Sequence, residues 1–168
     1  MSFKETIKIK ELKWRVEKFK AKNSEEIKKK NLKPYEVIEK LHKCLLNEGI
    51  VELIDLLIGS GTPTAWDSSN AYLGVGNDAT APAASQTGLI GASKKYKGMN
   101  ATYPKYEATN KSVWQADFID GEAEYAWNEE TISNTNSDTG KNLCRQNTAL
   151  GTKPAGQTWR LTATITWS

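Results

Sequence analysis

One histidine and two cysteines are all that this chain of 168 residues offers to most nucleophilic and metal chemistry. Any Ser-His-Asp or Cys-His arrangement would have to use His42, which lies in a lysine-flanked stretch, and no Gly-x-Ser-x-Gly elbow accompanies it. His42 therefore reads as a surface or capping residue. Cys44 and Cys144 stand a hundred residues apart without Cys-x-x-Cys spacing. That disfavours zinc and predicts two free thiols in a reducing compartment. No run approaches the roughly 18 apolar residues of a membrane span. The opening "MSFKETIKIK" lacks the apolar core of a secretory signal. The expectation is a protein with no membrane partner and no specific nucleic-acid partner.

Other chemistry is equally thin. "GVG" at 74–76 lacks the third glycine and following helix of a dinucleotide site, and "GSGT" at 59–62 lacks the Gly-Lys-Ser/Thr of a phosphate loop. Glu122, Glu124, Glu129 and Glu130 cluster around a tryptophan, as a glycosidase pair would, but nothing fixes a separation between them. Glu122 and Glu124 read as the solvent face of a strand. Asp67, Asn70, Asn77 and Asp78 are oxygen donors near turns, without the regular spacing of a calcium loop; turn-making is the simpler role. Asn100 and Asn110 match glycosylation acceptors, which matter only in a secretory setting. No catalytic residue, cofactor or metal is expected.

What is present is β patterning. The chain is 38% hydrophobic and 26% charged, fitting one globular domain. In "TWRLTATITWS" the residues Trp159, Leu161, Ala163, Ile165 and Trp167 alternate with Arg160 and three threonines. This is a strand with one apolar face, heavy enough in tryptophan to sit inside a sheet. Nothing follows Ser168, so the strand is expected to close the chain without a tail that would obstruct packing. Leu12, Trp14 and Val16 alternate with Lys13 and Arg15, with a phase shift near Glu11 that suggests a bulge. "PYEVIEKL" is a second strand candidate, turning helical from about Leu41, and "AKNSEEIKKKN" reads as a charged loop. Residues 45–58 make the best helix, with Asn47 as a candidate N-cap. Its stripe of Leu45, Ile50, Leu53, Ile54, Leu57 and Ile58 is expected to cover one sheet face, and Gly59 and Gly61 end it. Further short strands, seven or eight in all, predict a mainly β chain: an antiparallel β-sandwich, jelly-roll-like, with one amphipathic helix.

Charge divides the chain. Residues 1–43 carry fourteen Lys/Arg against seven Asp/Glu, whereas residues 44–168 carry nine against thirteen. The division predicts a basic N-terminal segment over 1–43 and an acidic body over 44–168. Lys8, Lys10, Lys13, Arg15 and Lys18 are the candidate partner-binding charges, with Trp14 and Phe19 as apolar anchors. The plainer reading makes residues 7–19 a strand of the body with its lysines facing water.

Several stretches together resemble a family of tailed-bacteriophage virion structural proteins: "KWRVEKFK", "YEVIE", "LLNEGIVELIDLLIGSGT", "NAYLGVGNDATAPAASQTGL", "MNATYP", "FIDGEAEYAWNEETI" and "GTKPAGQTWRLTATITWS". Order and gaps agree over nearly the whole chain. "LHKC" departs from a Glu-Gly-Asn-like turn, and "AKNSEEIKKKN" is more charged than usual. The resemblance implies a non-enzymatic virion component made in the host cytoplasm. The first placement is a capsid decoration (cement) protein on the shell exterior, bound to the major capsid protein or another virion protein and homo-oligomeric, with a trimer favoured. The alternative is a tail, collar or fibre module, and a glycan-acting enzyme is a distant third. Phage shells often present acidic surfaces, which is what the basic segment would meet.

Overall fold

The structure, a computed structural model, describes residues 9–42 and 44–168. Two antiparallel sheets pack face to face as a β-sandwich. The larger has the order β2(Glu36–His42), β1(Ile9–Phe19), β9(Thr158–Trp167), β6(Lys111–Phe118), β5(Lys105–Ala108). The smaller has the order β4(Lys94–Gly98), β3(Tyr72–Gly76), β7(Ala126–Ser133), β8(Asn142–Thr152). The described residues thus hold nine strands, with two helices, α1(Ser24–Lys29) and α2(Asn47–Ile58).

The most regular alternation in the sequence forms the centre of the larger sheet. β9 pairs with β1 on one side and β6 on the other, so both of its backbone edges are satisfied. Its inward residues align in rows: Trp14–Ala163–Trp114 and Val16–Leu161–Ala116 lie side by side across three strands. A small residue opposite large ones lets the layers interdigitate. From the facing sheet come Leu73, Val75, Ile132 and Cys144, and Trp127 closes one end edge-on against both Phe118 and Trp159. The phase shift near Glu11 is a bulge: the β1–β9 register skips between Ile9 and Glu11. A second skip, between Trp127 and Glu129, explains why Ile132 falls one phase away from the strand's earlier aromatics.

Three local expectations are corrected. "AKNSEEIKKKN" contains α1, started by a reciprocal cap: Asn23 Oδ1 accepts from the Glu26 amide at 2.9 Å, and Glu26 accepts from the Lys22 amide at 2.8 Å. Leu41 and His42 are not helical but complete β2, and the helix begins only at Asn47. α2 takes Leu46, not Asn47, as its N-cap, with no side-chain cap bond. Gly59, in the left-handed conformation at φ 67°, ends it as expected. Among the described residues no helix is long and apolar enough to cross a membrane.

Candidate interaction surfaces

The proposed docking residues of β1 separate by face. Trp14 is 1% exposed and Phe19 2%, so neither can anchor a partner. Trp14 lies in the inter-sheet core, and Phe19 packs with Ala21 and Ile27 beneath α1. Lys18 is also buried. It falls on the inward row with Trp159 and Phe118, its Nζ 4.2 Å from the Trp159 ring centre and 2.8 Å from Glu36. The period-2 phase that puts Leu12, Trp14 and Val16 inward carries Lys18 inward as well. Lys10 is exposed, and Lys13 and Arg15 are on the outward face. Lys8 lies outside the described residues, as does the side chain of His42.

Arg15 is engaged within the sheet. It donates to Glu39 at 2.8 Å and Glu17 at 3.1 Å, and these bonds raise its pKa while holding that of Glu39 low. Residues 9–19 therefore form a strand paired on both edges rather than an extended arm. The exposed positive charge concentrates instead on α1 and the loop after it, at Lys28, Lys29 and Lys33. The signal for this was the Asn-x-x-Glu cap at Asn23, which makes a helix of a segment that composition alone renders a loop.

The largest departure concerns α2. Its polar side faces the body and much of its apolar side faces water. Gly49 packs against β8 so closely that an added Cβ would lie 2.6 Å from Leu143 Cα. Flanking it, Glu48 accepts from the backbone N and side-chain Nδ2 of Asn142, at 2.8 and 3.0 Å. Glu52 accepts from the Thr64 amide at 2.7 Å and from Asn134 at 3.0 Å. The reason is that α2 covers an edge rather than a sheet face. β8 is the last strand of the smaller sheet; the backbone of residues 44–46 pairs with its outer edge, Glu48 takes the Asn142 amide, and Glu52 ties the helix to Thr64 and Asn134. Leu45 and Leu53 still touch the core. Ile50, Val51 and Ile54 are exposed, with Leu57 at 83% and Ile58 at 67%. Beside them runs a concavity of about 330 Å³ between α2, Ile9 and Trp167.

The glutamate cluster is dispersed. Glu129 and Glu130 point to opposite faces of β7, and both are completely buried. Glu129 accepts from the amides of Ile90 and Gly91 and from Arg145 Nε at 2.9 Å. Glu122 and Glu124 are not on a strand: Gly121 and Ala123, at φ 81° and 51°, bend the chain between β6 and β7. There Glu122 pairs with Lys97 at 2.7 Å, and Glu124 accepts from the Gly121 amide. Asp67 makes an Asx turn, accepting from the amides of Ser69 and Asn70. Cys44 and Cys144 are free thiols, and burial pushes that of Cys144 up to about 12. Among the described residues no group of His, Cys, Asp or Glu is disposed to hold a metal.

Comparison with protein families, with curated proteins and with solved structures finds no match to this chain.

Proposed function

We propose that the protein is a non-enzymatic structural component of a tailed-bacteriophage virion, a decoration protein that binds the outer capsid shell as a homo-oligomer, with a trimer favoured. The single observation that carries this reading beyond the sequence resemblance is the outward apolar face of α2. Contiguous exposed apolar side chains mark protein interaction surfaces. The occupant proposed for this face is a second copy of the chain. Glu48 and Glu52 are committed to the body, so Asp55 is the one charge of α2 left to the patch. Such a surface complements another of its kind better than it complements a charged shell. Ile58 protrudes beside the concavity that Leu57 and Trp167 line, so projection and recess share one patch through which copies can meet about a common axis. The shell contact falls to the lysines of α1 and its following loop, since Trp14, Lys18 and Phe19 are buried.

Sedimentation equilibrium tests the oligomer. The native protein is expected as a trimer, and Leu57→Glu with Ile58→Lys as a folded monomer; a native monomer at high concentration refutes the α2 contact. Shell binding is tested on empty capsids. Lys28→Gln, Lys29→Gln and Lys33→Gln together are expected to weaken it and to flatten its salt dependence. The alternative placement, a tail, collar or fibre module, is separated by mass spectrometry of purified particles. A copy number near that of the shell protein supports decoration, and a few copies per particle support the tail.

A further inference from the structure

The outward face of the larger sheet carries two adjoining hollows, of about 360 and 240 Å³, that share Tyr103 and Gln115 as a common wall. The larger lies within the range of about 300–1,000 Å³ usual for ligand sites. We infer that this groove is a saccharide-binding site, taking a short stretch of a neutral glycan chain across the strands. This goes beyond the structural role proposed above and does not depend on it.

The polar groups of the groove are preorganised. Asp117 lies at the floor of the larger hollow, nearly buried, and every bond around it is made. Arg160 donates to both of its carboxylate oxygens, at 2.7 and 2.9 Å, Ser24 Oγ donates at 2.6 Å, and Asn100 Nδ2 at 2.9 Å. Asn100 Nδ2 also donates to Gln115 Oε1 at 3.1 Å, and Gln115 Nε2 donates to Thr162 Oγ1 at 3.2 Å. Burial disfavours charge on Asp117, but these donors outweigh it and hold its pKa below the usual carboxylate range. Planar groups thus locked lose little entropy when a ligand arrives. They keep spare capacity as well: the remaining guanidinium N–H groups of Arg160, the second lone pair of Gln115 Oε1 and the hydroxyl of Tyr103. A ring bearing hydroxyls as donors and acceptors matches that mixed set.

The charges of the groove are nearly balanced. Around the smaller hollow Lys13, Arg15 and Lys105 are matched by Glu17, Glu39 and Glu107. The larger hollow adds Lys28 and Arg160 against Asp117, a surplus of one cation over the whole groove, far short of what a polyphosphate backbone would need. Among the described residues the only aliphatic side chains of the lining are Ala101 and Val113, with the Tyr103 ring between the hollows.

Tyr103 lines both hollows. It stands at the junction, half-buried, with Lys105 Nζ 4.7 Å from its ring centre. The preceding residue, Thr102, adopts φ 73°. A β-branched residue in the left-handed region is strained, and such strain gathers where a side chain must be held in place. Tyrosine provides rigid, amphipathic contact area, which suits a sugar with an apolar ring face and a polar rim.

The test is a printed array of neutral and acidic bacterial-surface oligosaccharides, followed by calorimetric titration of the strongest binder. A neutral oligosaccharide is expected to bind, with an affinity unchanged between low and high salt. Tyr103→Ala and Gln115→Ala are each expected to weaken it about tenfold, the effect of losing one well-made hydrogen bond. Their unfolding midpoints should remain near native. If Tyr103→Ala fails to fold, Tyr103→Phe reads the hydroxyl alone. Overturning results are no binding to any neutral oligosaccharide, binding that collapses with salt, or binding untouched by folded variants at both positions. The Leu57→Glu, Ile58→Lys protein should bind the sugar as the native protein does, which keeps the groove separate from the α2 contact.

Discussion

Two arginine–glutamate pairs project from the outer faces of the two sheets, and their surroundings are opposite. On the smaller sheet, Arg145 and Glu129 are both fully buried beneath the loop of residues 77–93. Arg145 Nη2 lies 2.7 Å from Glu129, its Nη1 donates to Thr80 O and Gln86 Oε1, and Glu129 takes two amides from the same loop. On the larger sheet, Arg15 and Glu39 make a contact of 2.8 Å with side chains 38% and 44% exposed, and among the described residues no loop crosses them. The same two side-chain types thus hold a loop in place on one sheet and leave a surface open on the other. A covered face can do little but hold the molecule together, whereas an open polar face is free to meet a ligand. That division is why the saccharide groove belongs to the five-stranded sheet.

Arg145→Ala attacks the covered side and carries the largest expected effect. It strands Glu129 as a buried charge, and breaking a buried pair costs about 3–5 kcal/mol. Urea unfolding should show the midpoint falling sharply, with the 77–93 loop becoming protease-sensitive. A loss below about 1 kcal/mol, the level of a surface pair, would erase the contrast between the faces.

The inward face of the smaller sheet holds a second buried glutamate with the opposite sign of effect. Glu130 aligns with Val75 on one neighbour and Gln146 on the other, and shares its face with Ile132 of the core. Among the described residues neither of its carboxyl oxygens has a hydrogen-bond partner. Burial, with the charge of Glu129 next, raises its pKa well above 4.5. The folded state therefore keeps a proton that the unfolded chain releases above about pH 4.5, and stability from this site falls as pH rises from there towards the folded pKa. Glu130→Met, of similar size, is expected to stabilise by about 1–3 kcal/mol at neutral pH. The gain should shrink towards pH 4. A variant less stable than native at pH 7 would mean that the carboxyl has a partner in solution.

The contrast between faces also marks what could be read in the sequence. Strict alternation at Leu12–Val16 and Trp159–Trp167 specifies β1 and β9 and their buried sides, because period 2 maps directly onto a sheet. α2 was legible as a helix but not in its orientation. A 3.6-residue stripe announces an apolar face, whereas the partner of that helix, the β8 edge, lies 84 or more residues further on and receives Gly49 and Glu48 instead. The Glu129–Arg145 pair was illegible for the same reason. Consecutive glutamates on a strand look like solvent-facing charge until the loop that covers them is known. Of the groove, Lys13 and Arg15 stood out as charges, Arg160 as part of a strand's polar side, and Asn100 only as a glycosylation acceptor. Asn100, Gln115 and Asp117 are brought together by the hairpin and sheet register, not by spacing along the chain.

Arg15→Ala is the smallest expected effect, and for that reason the sharpest control. Arg15 sits on the open row Glu39–Arg15–Thr162–Gln115, paired to carboxylates that water also reaches. Exposed pairs contribute about 0–1 kcal/mol, and salt screens them further. The variant should lose no more than this in urea unfolding, and the loss should fade as salt is raised. Glu39 loses its principal donor, so its lowered pKa should return towards 4.5 when followed by NMR. The linkage has a definite sign. A depressed carboxylate stabilises the fold above its unfolded pKa, and that stabilisation disappears as pH falls through the folded value. The native and Arg15→Ala proteins should therefore differ slightly at neutral pH and converge in acid. A loss as large as that of Arg145→Ala would mean that the five-stranded face is held as tightly as the covered one. Its charges would then be structural, and the open-face argument for ligand binding would lose its footing.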